Sequence, residues 1–157
     1  MNHLLESWVA LYANHPMLRT GIGFAHIGGL VAGGGSAIAA DLATISAGRG
    51  GPAGRTTQLL LLKRTHRLVI VGLVALTISG LLLFGADLDT YLYSKVFWLK
   101  MGLLGLLLIN GLFFLRGEGL VMRDSPDAWP RLHFTAVCSL VLWFLTTLAG
   151  AALPNIG

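Results

Sequence analysis

The sequence predicts an all-α integral membrane protein: a four-helix up-down bundle preceded by a short N-terminal interfacial helix. Three observations carry this. Only 11% of the 157 residues are charged and 55% are hydrophobic, whereas soluble domains carry about 25% charged residues. Four windows, Thr20–Ala40, Leu68–Ala86, Val96–Leu115 and Leu132–Leu153, hold close to the roughly 20 apolar residues needed to cross a hydrocarbon core about 30 Å thick. Lys100 is the sole Lys, Arg, Asp or Glu inside them, and all the other Lys and Arg residues but Arg19 and Lys95 gather in alternate connections.

The elements follow in chain order. The opening "MNHLLESWVALYANHP" has no basic start, so no cleavable signal peptide is expected. Leu4, Leu5, Trp8, Val9, Leu11 and Tyr12 form one face of a short helix lying in the interface, and Pro16 ends it. The spans are expected at about 18–44, 66–86, 92–115 and 131–153, making residues 1–157 one transmembrane domain. The glycine-rich "AGRGGPAGR" between the first two spans is expected to be mobile. The short "DLDTYLYS" makes helices two and three antiparallel neighbours.

Orientation comes from the connections. The first carries Arg49, Arg55, Lys63, Arg64 and Arg67, and the third carries Arg116, Arg123 and Arg131. The second has no Lys or Arg and contains Asp87 and Asp89. The positive-inside rule puts the basic connections in the cytoplasm and both termini outside, in the cell's inner (plasma) membrane. The net charge of +4 is accounted for by these flanks and calls for no nucleic acid. Tyr91, Tyr93 and Trp98 on the outer side, and Trp129 on the inner side, suit the interfacial aromatic belts. The single cysteine, Cys138, excludes an internal disulfide and a cysteine metal cluster.

Ionisable groups inside spans are costly and mark function. His26 and Lys100 each lie about 12 Å from the outer edge of their spans at 1.5 Å per residue, so the two share a level. His66 and His133 share a second level at the cytoplasmic rim. One metal cannot join His26 to His66, because His26 stands roughly 18 Å above that rim and metal–nitrogen bonds are about 2 Å. His26 looks along a strip of small residues, Gly29, Gly33 and Ala37. Such a strip either packs closely on another helix or leaves a slot for a flat macrocycle held by His26. Lys100 either snorkels to the interface or stands as a buried amine able to ligate a metal or bind a propionate. His66 and His133 either belong to a solvated rim or form a second metal or propionate site, and Asp41 is expected to pair with Arg49, Arg64 or Arg67, a proton relay being its alternative. No phosphate-binding glycine loop after a strand, HExxH or CxxCH motif occurs.

His26 in the first helix, the third-helix segment "VFWLKMGLLGLLLINGL" with its W-x-K at Trp98–Lys100, and four spans in this length resemble a known family. They are the HemJ-type protoporphyrinogen oxidases, the related CopD-type membrane domains and, more distantly, cytochromes of the b561 class. The sequence differs from them in "GGLVAGGGSAIAAD" and in the "KRTHR" entry to helix two. The resemblance implies haem b between the helices, with His26 matching the first-helix histidine as iron ligand and Lys100 matching the third-helix lysine as opposite ligand or catalytic partner. Gly29 and Gly33 would line the cofactor, with His66 and His133 as secondary ligands. The expected function is electron transfer or porphyrin(ogen) oxidation, with a porphyrin or a quinone as partner. The alternatives are a metal-ion or solute carrier lined by His26, Asp41 and Lys100, and a non-catalytic subunit of a membrane complex or a homo-oligomer.

Overall fold

The computed structural model describes residues 3–47, 51–121 and 128–156, with the side chains of 51–56, 59, 60, 63, 64 and 156 left out. The described elements are helical. They are α1 (His3–Asn14), α2 (Pro16–Gly29), a π-helical segment (Leu30–Gly34), α3 (Gly35–Ala47), α4 (Gly51–Ala86), α5 (Leu88–Tyr93), α6 (Lys95–Val121) and α7 (Ala128–Ile156). No strand occurs among the described residues. Four helical stretches are long and apolar enough to cross a membrane: Pro16–Ala47, Thr65–Ala86, Lys95–Val121 and Ala128–Asn155. The protein is therefore a multi-pass membrane protein by length and composition.

Local chemistry sets the boundaries. His15 is extended (φ −120°, ψ 90°), as the residue before a proline tends to be, and Pro16 opens α2 where no N–H partner is needed. α1 does not lie free, because Trp8 Nε1 donates to the Leu82 carbonyl at 3.1 Å and its ring rests against Gly85. Leu4 points away, exposed. Asp87 caps α5 by accepting from the Thr90 N–H at 3.3 Å.

The expected mobile connection is corrected in part. Gly51–Arg55 belongs to α4, while residues 48–50, with Arg49, lie outside the described residues. Pro52 falls in the first turn, where helices accept proline. Further along, Gln58 anchors α4 to α3, its Nε2 donating to the Ala40 carbonyl and to Thr44 Oγ1, both at 3.2 Å.

Backbones approach closely within two pairs, the first span on α4 and α6 on α7. Between the pairs, α3 lies on α7. The core sits at the end carrying the basic segments and consists of Leu62, Phe114, Trp129, Leu132 and Ala136. Trp129, expected in an interfacial belt, is instead 7% exposed inside that cluster, because α7 begins at Ala128 and turns the indole inward. At the other end, Phe84 of α4 stacks on Phe97 of α6 at 5.2 Å, with Tyr91 tilted against both.

Candidate functional site

His26 lies in the last turn of α2, with its half-buried ring turned to α4. Its Nδ1 is 3.0 Å from Ser79 Oγ. The Ser79 hydroxyl donates to the Ala75 carbonyl at 2.6 Å, and a hydroxyl has one proton to give. The Ser79 oxygen therefore accepts, His26 Nδ1 carries the hydrogen, and Nε2 is left with its lone pair. This network assigns the tautomer. Position 80 is glycine, and the imidazole rests in van der Waals contact with it: a Cβ there would be 3.5 Å from Cε1.

Lys100 comes to the same place from the third span. Its stem and Nζ lie against Gly150 of α7, where a Cβ would stand 3.4 Å from Nζ. It lies within electrostatic range of the His26 ring. His26, Ser79 with Gly80, Lys100 and Gly150 thus bring all four spans to one level.

The small-residue strip is not a slot. A Cβ on Gly29 would lie 2.9 Å from the Gly72 carbonyl oxygen, and one on Gly33 3.0 Å from Gly72 Cα. A Cβ on Gly72 would collide with Gly33 Cα and N. The second span's backbone fills the strip, so Gly29 and Gly33 are corrected from cofactor-lining to helix-packing residues. This is the close approach that small-xxx-small faces permit. The π-helical turn follows directly and re-aims Gly34 at α7, where the Trp143 ring sits against it.

His66 Nε2 is 3.5 Å from Glu118 Oε2, whereas His133 makes no hydrogen bond or ion pair among the described residues. No group of three or more His, Cys, Asp or Glu that could hold a metal ion occurs among the described residues. Glu118 is 6% exposed and escaped sequence reasoning, because "RGEG" looks like the end of a span. The helix continues to Val121, and Gly117 admits Leu132 beside it. Ser79 is the partner that orients His26.

Asp41 is also placed differently from the expectation. Its carboxyl faces Ser139 of α7. Among the described side chains it forms no ion pair, and Arg67 is exposed. Arg49 and the Arg64 side chain lie outside the described residues.

Comparisons of this chain with protein families, curated proteins and solved structures found no match.

Proposed function

We propose that the protein is a membrane haem-b protein acting in electron transfer or porphyrin(ogen) oxidation, with His26 as an axial ligand. One observation carries the reading: an imidazole within a span whose Nδ1–H is committed to Ser79, leaving Nε2 available. Metal-binding histidines are held this way, the second ring nitrogen donating to a neighbour that fixes tautomer and orientation. The donor chemistry fits, since imidazole suits iron. Lys100 faces the same level, a nitrogen donor when neutral and a partner for a propionate when charged. The glycine strip does not fit as the seat, so the ligand belongs on the Nε2 side of His26.

Haem, when bound, supplies the one-electron chemistry. The chain's own part is to hold the imidazole in one tautomer, present an amine, and keep water out with apolar helices. In this reading the basic connections lie in the cytoplasm and the spans run up and down, so the site belongs to the outer half of an inner (plasma) membrane, with both termini outside and α1 in the interface.

The test is an absorption spectrum of protein purified from cells supplied with a haem precursor. A Soret band is expected, abolished in His26→Ala and kept in His15→Ala, whose ring bonds the Leu11 carbonyl in the last turn of α1. A colourless wild-type protein overturns the reading.

A further inference from the structure

A second buried polar group lies away from His26. Asp41 is 4% exposed, and its Oδ2 is sealed from solvent with no hydrogen-bond partner among the described residues. An isolated carboxylate in an apolar interior is neutralised rather than left bare, because burying an unpaired charge is costly. Three neutralisers are available in principle. A cationic side chain is not in place among the described residues. A multidentate metal lacks ligands, because no cluster of metal-binding side chains surrounds Asp41 among those residues. A proton needs neither.

Its polar neighbours come from the two helices packed on α3. From α7 the facing group is Ser139. His133 stands nearly two turns further along that helix. From α4 it is Gln58, hydrogen-bonded to Thr44 Oγ1 in the next turn of α3. His66 of the same helix is engaged by Glu118. No described charged side chain acts on the carboxyl. Away from the basic end, the Trp143 ring of α7 lies on Gly34.

We propose that Asp41 is a proton-binding site within the membrane, held against Ser139 and reached from the basic end of the bundle past Thr44 and Gln58. The carboxylate takes one proton to become the neutral acid and returns the same proton by the same path. This site stands whether or not His26 binds haem.

Dicyclohexylcarbodiimide partitions into bilayers and reacts with protonated carboxyl groups, so it probes Asp41 directly. Protein in liposomes at neutral pH is treated and mapped by peptide mass. An adduct on Asp41 is expected, absent in Asp41→Asn and retained in His26→Ala. Infrared spectra should show an unionised carboxyl stretch that Asp41→Asn removes and that exchanges in D2O severalfold more slowly in Gln58→Leu. An unlabelled Asp41, with reagent on Glu118 or nowhere, overturns the proposal, and unchanged exchange in Gln58→Leu overturns the path. If Asp41→Asn does not fold, the wild-type peptide map alone decides.

Discussion

Where the first span crosses α4, Gly29, Gly33 and Gly72 set backbone on backbone; where α6 meets α7, side chains do the work. In the second pair Leu132 is fully buried, Gly117 admits it, and Asn110 Nδ2 donates to the Thr135 carbonyl at 2.9 Å. A glycine crossing has no rotamers with which to absorb a shift, whereas interdigitated side chains can repack. The difference explains where the candidate site sits. His26 is two turns from Gly33, and Ser79 is two turns from Gly72. The crossing therefore sets the level at which imidazole and hydroxyl meet.

The largest effect is expected from breaking that crossing. Gly72→Ala puts a methyl group into Gly33 backbone that cannot rotate away. A loss of about 3 kcal/mol follows from overpacking of this kind. It is read as a lower unfolding midpoint in detergent, together with weakened His26–Ser79 contact. Gly28→Ala and Gly35→Ala are the controls, because nothing lies within 4 Å of either added Cβ. They should leave the midpoint unchanged or raise it slightly, since alanine is the better helix former. Equal effects at positions 72 and 28 would show that the spans do not cross there.

A smaller effect isolates the orientation from the packing. Ser79→Ala leaves the glycine crossing intact but removes the acceptor for His26 Nδ1. Stability should fall by about 1 kcal/mol, the typical net worth of one such bond. A cofactor on His26 should bind roughly tenfold or more weakly, as when an outer-shell partner of a metal ligand is lost. Ser79→Thr, which keeps a hydroxyl, should restore much of both. Titration with haem and thermal melts measure the two separately; unchanged binding in Ser79→Ala would remove the serine from the site.

Much of this is legible in the chain, and the parts that are not share a cause. Length and apolarity alone locate four spans, and a polar ring among glycines singles out His26. Periodicity aligns Gly29 and Gly33 with His26 but cannot say what fills the strip. The answer, Gly72, is a lone glycine in "VIVGLVAL" on another helix. The same limit applies to Asp41. Its sequence neighbourhood offers arginines, while the group it faces, Ser139, is 98 residues away and unremarkable by type. Glu118 was hidden because a charge next to glycines marks a helix end in water, yet here packing against Leu132 carries the helix onward. Local chemistry is written in the sequence; the partner across the bundle is not.

The α5 end offers the mildest test of how the two pairs are joined. There Phe84 of α4 and Phe97 of α6 stack, and Tyr91 leans on both at 6.3 and 5.5 Å between ring centroids. Burial among these rings raises the Tyr91 phenol above its ordinary range, and the Asp87 charge and Tyr12 push the same way. A folded-state value above the unfolded one means that the neutral phenol is favoured by folding. Its contribution is fully present below the ordinary phenol range and is lost as pH rises through the raised value. An alkaline absorbance titration should therefore show a late phenolate step that disappears in Tyr91→Phe, with little change in stability at neutral pH because the ring is kept. If Tyr91→Phe leaves the late step in place, the aromatic contact between α4 and α6 is not closed in the membrane.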